Sequence, residues 1–246
     1  MSEKLKWKSR HQLPVAGKLS QFRFDPEKLV QAFIKTTQKK QWDGLGNEYS
    51  SLCENHTGLP KMFFKESELR SVNHISEMQW DNVSYQQMGI TSWDEDFSLE
   101  KRNEKSNTAW DSRIAKRNEK ADERWFRKRD DDLESYLHEI LDTIGEDKVH
   151  RARFAKLLPN SKIKPHIDYD TTYGIRIHIP IITNNKCVLG GINKDGKSQE
   201  FHMPADGSVW FVNPGLKHWA INNGQSERIH LILSVDSQEI LSGLDV

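Results

Sequence analysis

Two pairs of chemically active residues occur in the C-terminal half of the sequence, each with one residue between its members. His166 and Asp168 form the first pair, and Arg176 and His178 form the second. On a β-strand this spacing points both side chains of a pair to the same face. A His-x-Asp pair together with one distant histidine, here His218, is the ligand set of a facial triad for non-haem Fe(II). The sequence therefore predicts an iron site with open positions for a co-substrate and oxygen, as in an oxygenase; we call these three residues the metal triad.

An arginine in an apolar strand indicates a second binding function. Arg228 follows His218 by ten residues and is surrounded by isoleucines and leucines. Because an unpaired buried guanidinium is very costly, Arg228 must either emerge at the mouth of a barrel or meet an anion. Its planar fork suits a carboxylate. Arg176 and His178 lie on an equally apolar segment, so these groups together are predicted to hold a dicarboxylate that also chelates the iron.

The residues around these motifs predict a β-rich core. After Gly145, short apolar and β-branched segments alternate with turn signals such as Gly190-Gly191. About eight strands in about 90 residues are typical of a sandwich or jelly-roll barrel. The predicted strands are 153–158, 162–169, 174–183, 187–189, 199–203, 208–212, 218–221 and 228–235. We therefore divide the chain into a mixed helical support and substrate-shaping region, 1–145, and a catalytic core, 146–246.

Two helices are predicted in the support region. Asp25 suits the N-cap of the first and Pro26 its first helical position, directly after a short strand at 21–24. The second is predicted from the acidic run 130–132 to Gly145. Acidic residues favour the positive end of a helix dipole, and apolar residues follow at helical spacing. We expect the second helix to pack on the outside of the sheet.

The stretch between these helices has weaker signals. Residues 38–93 are predicted to form mixed loops and short helices, and residues 99–132 are densely charged with both signs interspersed. We expect residues 38–130 to shape the substrate specificity.

Composition excludes several other classes. The 246 residues carry 36 basic and 36 acidic side chains, so there is no basic excess of the kind that a nucleic-acid partner requires. No apolar run approaches the length of about 18 residues that a spanning helix needs. The first ten residues lack the apolar segment of a signal peptide. The two cysteines, Cys53 and Cys187, form no C-x-x-C motif, and we expect a cytoplasmic protein.

The combined motifs resemble the aspartyl/asparaginyl β-hydroxylase family of Fe(II)/2-oxoglutarate-dependent oxygenases, which also includes bacterial free-proline cis-4-hydroxylases. The resemblance covers about residues 150–236. The matching features are His166-x-Asp168, Arg176-x-His178-x-Pro180, Trp210 before a turn, His218, the Asn222 loop and Arg228-x-His230-Leu231.

The resemblance implies a double-stranded β-helix with Fe(II) and 2-oxoglutarate as cofactors. By family analogy the metal triad is catalytic and binds the iron. Arg228 would bind the distal carboxylate of 2-oxoglutarate, and Arg176 and His178 would contribute to the same co-substrate site. His230 is expected to be structural.

Two positions bear on the substrate, which is expected to be a free amino acid or a residue in a peptide. Relatives that act on peptidyl Asp or Asn carry a basic residue two positions before the motif arginine, where this chain has Gly174. Some of those enzymes also lack the metal carboxylate, whereas Asp168 is present here. Both features favour the bacterial branch, which uses small amino acids or other small substrates.

Two other functions fit the same residues. One is a cupin-type metalloenzyme that uses no keto acid, and the other is a non-enzymatic module that binds a partner. Loss of 2-oxoglutarate-dependent turnover in an Arg228 variant separates the oxygenase from the first, and metal binding separates it from the second.

Overall fold

The computed structural model describes residues 7–40, 42–44, 85–92 and 127–245. Two antiparallel sheets, one of eight strands and one of four, form the core of the fold. The strands are β1 (Ala16–Arg23), β2 (Asp43–Gly44), β3 (Tyr85–Gly89), β4 (Thr91–Ser92), β5 (Lys128–Arg129), β6 (Val149–Leu157), β7 (Ser161–His166), β8 (Ile175–Ile182), β9 (Cys187–Ile192), β10 (Ser198–Phe201), β11 (Ser208–Val212), β12 (His218–Asn222), β13 (Arg228–Val235) and β14 (Leu244–Asp245). The helices are α1 (Pro26–Lys39) and α2 (Ser135–Gly145).

The strand order is that of a jelly roll. The large sheet runs β14-β1-β11-β8-β13-β6-β3-β2, the small sheet runs β10-β9-β12-β7, and β4 pairs with β5. The predicted mainly β class with a double-stranded β-helix core is confirmed. Strands β1, β2 and β3 come from before residue 146 and belong to the large sheet, so the sheet draws on both predicted regions. The boundary at residue 146 itself stays a prediction.

The central strands β8 and β13 of the large sheet are buried on both faces. On its outer face, the isoleucines of β8 (Ile175, Ile177, Ile179 and Ile181) pack with apolar residues of α1 and α2. On its inner face, Ile232 of β13 and Ala155 of β6 pack against Ile163 and Ala220 of the small sheet. Because successive side chains of a strand point to opposite faces, Arg228 and His230 share the inner face with Ile232.

The first predicted helix is confirmed, and the second begins later than predicted. The Asp25 carboxylate accepts hydrogen bonds from the backbone N–H groups of Glu27 and Lys28, which caps α1. Helix α2 begins at Ser135, so the prediction that it starts in the acidic run 130–132 was wrong. Asp130 instead forms an ion pair with Lys40, and this tertiary contact holds the acidic run in the loop before α2.

Several strand boundaries also differ from the prediction; strand β6, for example, begins at Val149 rather than at residue 153. Strand β1 begins at Ala16 rather than at residue 21. Strand β7 ends at His166. Strand β9 continues through the predicted Gly190-Gly191 turn. A Cβ atom on Gly190 would lie 2.1 Å from the Trp219 ring, and one on Gly191 would lie 2.4 Å from Val15 Cγ1. These glycines therefore permit close packing within a strand.

The prediction of mixed loops and short helices for residues 38–93 was wrong for β2, β3 and β4, which pair with neighbouring strands. The predictions for residues 45–84 and 93–126, including most of the charged segment, lie outside the described residues. Among the residues that are described, no helix is both long enough and apolar enough to cross a membrane.

Candidate metal centre

The two histidines of the metal triad are neighbours across the small sheet. His166 is the last residue of β7 and His218 the first residue of β12, and the two are register partners in the antiparallel pairing. Their ring centroids lie 4.3 Å apart. Residues 52 positions apart in the sequence are thus brought together by strand pairing.

Asp168 completes the cluster from a loop. The predicted strand to residue 169 would have placed it beside His166 on the same strand, but β7 ends before it. Its backbone N–H donates instead to the carbonyl oxygen of Pro214, at 2.9 Å. Its Oδ1 lies 3.7 Å from His166 Nε2, and its Oδ2 lies 3.7 Å from His218 Nε2. One ligand atom from each residue of the metal triad lies within 4.8 Å of the other two.

Backbone contacts orient both imidazoles toward this point. His166 Nδ1 lies 2.7 Å from the Lys164 carbonyl oxygen, and His218 Nδ1 lies 2.8 Å from that of Leu216. A carbonyl oxygen can only accept, so Nδ1 carries the hydrogen in each ring. In a neutral ring the lone pair then lies on Nε2, the nitrogen that faces Asp168, as a metal ligand requires.

The charge states also suit a cation. Burial by itself would raise the pKa of the Asp168 carboxyl, but the adjacent Arg176 guanidinium and the two imidazoles outweigh it, and this pKa lies well below its usual range. Burial, followed by the neighbouring His166, lowers the pKa of His218 to about 4. At neutral pH the site therefore has an ionised carboxylate and a neutral His218. Two imidazoles and one carboxylate are donors that Fe(II) accepts together.

The residues predicted to bind the co-substrate occupy two places on the inner face of the large sheet. Arg176 forms a short ion pair with Asp168 and so lies directly beside the metal triad. His178 lies two residues further along β8, opposite Ile232 of β13. Arg228 begins β13 and is 3% exposed. Their role in binding 2-oxoglutarate stays a prediction.

Arg228 and His178 are linked through His230. Arg228 Nε donates to His230 Nε2 at 3.1 Å, and Arg228 Nη2 lies 2.9 Å from His230 Nδ1. His178 Nδ1 lies 3.3 Å from His230 Nδ1. Burial, followed by the positive charge of Arg228, lowers the pKa of both histidines well below its usual value. A neutral imidazole has a single acceptor nitrogen, so His230 accepts at most one of the two bonds at a time.

Arg228 is thus a buried cation without a described counter-charge. Burial lowers its pKa to about 10, so it remains protonated at neutral pH. Within the described part of the chain its guanidinium forms no ion pair with a carboxylate, and its hydrogen bonds go to His230. Its remaining N–H donors suit an anion.

The contacts that His230 and Tyr169 make at this site were not predicted from the sequence. His230 contacts both Arg228 and His178, and its expected structural role stays a prediction. Its i, i+2 spacing from Arg228 was the available signal for the contact. Tyr169 contacts the Arg176 guanidinium, with its ring centroid 5.2 Å from the guanidinium carbon. No pattern in the sequence indicates that contact.

Fold and site together define a class of protein: a jelly-roll barrel that brings a two-histidine, one-carboxylate cluster to the edge of its small sheet. Comparison with known proteins agrees with this class. The family model for aspartyl/asparaginyl β-hydroxylase matches residues 39–238. The chain belongs to the aspartyl/asparaginyl β-hydroxylase family, and the predicted resemblance to these oxygenases is confirmed.

Individual relatives share part of the sequence or of the fold. L-proline cis-4-hydroxylase of Rhizobium meliloti (strain 1021) is 29% identical over 106 residues, which is 42% of this chain and only 35% of that relative. The solved prolyl-4-hydroxylase of Pseudomonas putida is similar over 90% of this chain and 92% of its own, with 14% identity and a TM-score of 0.42. An oxidoreductase of the 2OG-Fe(II) oxygenase family from Burkholderia pseudomallei covers 77% of this chain and 91% of its own, with 15% identity and a TM-score of 0.37.

Proposed function

We propose that the protein is an Fe(II)/2-oxoglutarate-dependent dioxygenase that hydroxylates a C–H bond of an amino-acid-type substrate and releases succinate and carbon dioxide. The substrate is a free amino acid or an Asp or Asn side chain in a peptide. Iron and 2-oxoglutarate, when bound, supply the oxidising chemistry, and the chain supplies ligands, orientation and a water-poor pocket.

The observation that carries this proposal is the convergence of the metal triad. Its three ligand atoms lie within 4.8 Å of one another although they come from the end of β7, a loop and the start of β12. Three protein ligands on one side leave positions open for a co-substrate and oxygen. The carbonyl contacts at Nδ1 orient each imidazole so that Nε2 can bind the metal, which is the usual arrangement of metal-binding histidines.

Arg228 supports a diacid as the co-substrate. Its guanidinium is buried on the inner face of the barrel, with His230 beside it. A buried charge needs a partner of opposite sign, and a carboxylate matches the planar fork of arginine. We assign the distal carboxylate of 2-oxoglutarate to Arg228. His178, reached through His230, would help to shape that end of the pocket.

The curated relative suggests the first substrate to test. It is named an L-proline cis-4-hydroxylase, and this chain has Gly174 where relatives acting on peptidyl residues have a basic side chain. We therefore propose a small free amino acid, with proline as the first candidate, ahead of a peptide.

The test is succinate formation by protein loaded with Fe(II) and 2-oxoglutarate, measured against a panel of free amino acids, Asp/Asn peptides and unrelated small acids. We expect one free amino acid to stimulate turnover and to gain one oxygen atom by mass spectrometry. His218→Ala should lose this activity together with Fe(II) binding.

Matched controls make the result specific. His11→Ala removes an exposed imidazole and should leave turnover unchanged. Arg228→Ala should retain metal and lose 2-oxoglutarate binding. Full activity of Arg228→Ala, with no 2-oxoglutarate bound to the wild type, would instead identify a metalloenzyme that needs no keto acid. Failure of anaerobically purified protein to bind Fe(II) would refute the proposal.

A further inference from the structure

Arg176 contacts the carboxylate of the metal triad directly. Its Nη1 donates to Asp168 Oδ2, the same oxygen that lies 3.7 Å from His218 Nε2. The other oxygen, Oδ1, lies 3.7 Å from His166 Nε2. The guanidinium therefore holds the carboxylate in the orientation that gives each imidazole one facing oxygen.

The other side of the guanidinium is held by Tyr169. Arg176 Nη2 donates to the Tyr169 hydroxyl at 3.4 Å, and that hydroxyl in turn donates to Ser234 Oγ at 3.4 Å. Ser234 is the register partner of Arg176 on β13. Contacts thus run from β8 through the Asp168 loop to β13, and the Arg176 side chain is only 11% exposed. A guanidinium held in this way has a defined position.

Asp168 needs such a contact more than the two histidines do. His166 and His218 lie on paired strands, so the sheet determines their backbone positions. Asp168 lies beyond the end of β7, where its backbone N–H donates to the Pro214 carbonyl oxygen of the neighbouring loop. Its side-chain torsions are therefore determined mainly by the guanidinium that its carboxylate meets.

The backbones of Arg176 and Arg228 lie at opposite ends of the paired strands β8 and β13. Arg176 lies opposite Ser234, and Arg228 precedes Ser234 by six residues on β13. Since a strand advances about 3.3 Å per residue, the two backbones are on the order of 20 Å apart along the sheet. The Arg176 guanidinium contacts Asp168 of the metal triad, whereas the Arg228 guanidinium contacts His230.

We propose that Arg176 is a positioning residue of the metal centre, which acts on the metal through Asp168. The inference rests on the proposed metal site but not on the co-substrate. Two effects compete: the guanidinium repels a divalent cation, and it fixes the carboxylate that binds that cation. Because partners of metal ligands typically contribute about 10–100-fold to metal affinity, we expect positioning to dominate.

The test measures Co(II) affinity in the absence of 2-oxoglutarate, by calorimetry and by the visible absorption of the bound ion, in the full-length protein. Arg176→Gln should weaken Co(II) binding about 10–100-fold. Arg176→Lys keeps the charge but loses the fork, and should restore part of that loss. Tyr169→Phe removes only the hydroxyl and should cause a smaller loss.

A double-mutant cycle tests whether Arg176 acts through Asp168. In an Asp168→Ala background, Arg176→Gln should no longer weaken Co(II) binding, because the group that it positions is gone, and loss of the repelling charge should leave the affinity unchanged or slightly higher. Arg129→Gln is the matched control, since it breaks an Arg–Asp contact of 2.5 Å with Asp142 on α2. This control should leave Co(II) affinity at the wild-type value.

Unchanged or tighter Co(II) binding by Arg176→Gln, with weaker 2-oxoglutarate binding, would overturn the inference and make Arg176 a co-substrate ligand. Equal losses in both Asp168 backgrounds would overturn it too. Urea unfolding of the metal-free variants identifies any variant that has lost Co(II) binding only because it is unfolded. If the Arg176 variants are unfolded, the Co(II) affinity of Tyr169→Phe decides the test. A wild type that binds no 2-oxoglutarate, but whose Co(II) affinity still depends on Arg176, would refute the proposed function alone.

Discussion

The guanidinium of Arg228 lies inside the barrel, where its described hydrogen-bond partner is His230. A neutral imidazole does not compensate a buried positive charge, so the metal-free, ligand-free protein bears an electrostatic cost at this residue. The proposed diacid would remove that cost on binding. Removing the charge of Arg228 should therefore lower the affinity for the diacid and raise the stability of the free protein.

This opposition predicts the behaviour of Arg228→Met, which keeps much of the side-chain volume without the charge. Its 2-oxoglutarate affinity, measured by anaerobic titration with Fe(II) present, should fall by at least about 30-fold, equivalent to about 2 kcal/mol. The free energy of unfolding of the metal-free protein should rise by about 1–3 kcal/mol.

Arg228→Lys is the control for charge. It retains a buried cation, so the metal-free protein should gain no stability, while 2-oxoglutarate affinity should fall because the fork is lost. A metal-free Arg228→Met protein that is less stable than the wild type would contradict this account.

At the scale of elements, the side chain of Asn222 joins strands of both sheets. Asn222 ends β12 and is fully buried. Its Nδ2 lies 3.1 Å from the carbonyl oxygens of Leu157 and Leu158, at the end of β6, and 2.9 Å from that of Ser226. Its Oδ1 accepts from the Gly224 backbone N–H at 3.0 Å. This one amide therefore bonds backbone groups at the end of β6 and in the turn between β12 and Arg228.

Asn222→Ala should therefore destabilise the protein by about 2–4 kcal/mol, because several buried polar groups lose their partner at once. Urea unfolding of the metal-free protein measures the change. Asn223→Ala makes the same substitution at the next, exposed residue and should change stability by less than about 0.5 kcal/mol. Similar effects of the two substitutions would show that the amide network has no special role.

At the scale of the whole molecule, packing of the two sheets against each other buries His178 and His230 and favours their neutral form. Burial and the positive charge of Arg228 lower the pKa of His178 and His230, and Arg176 and Arg153 act in the same direction on His178. The unfolded chain exposes the same imidazoles to water, where their pKa is about 6.5. Below that pH the unfolded state binds more protons than the native state.

The free energy of unfolding of the metal-free protein should therefore fall as the pH drops below about 6.5. Each of the two histidines contributes a slope of up to about 1.4 kcal/mol per pH unit. Urea unfolding between pH 7.5 and pH 5.5 tests this, and His178→Gln and His230→Gln should each reduce the slope. His11→Gln, at an exposed position, should not, and a stability independent of pH over this range would contradict the prediction.

Local pattern was sufficient for much of the fold and for the identity of the candidate site residues. The capped start of α1 and the bounds of β11 and β13 follow from short-range rules of spacing and capping, since those elements satisfy their preferences within a few residues. Residue types at the metal triad and at Arg228 limited the chemistry in the same way, because few side chains bind iron or a carboxylate.

The start of α2, the continuous strand β9 and the partner of Arg176 could not be predicted in this way. The first two depend on a residue distant in the chain, Lys40 beside Asp130 and Trp219 over Gly190. The third depends on the loop that carries Asp168 away from the end of β7 and toward Arg176. The sequence by itself determined which side chains are available and, for those within strands such as Arg228 and His230, which share a face. Only the tertiary structure decided which of them meet, because strand pairing and loop contacts bring together groups whose separation in the chain carries no signal of their proximity.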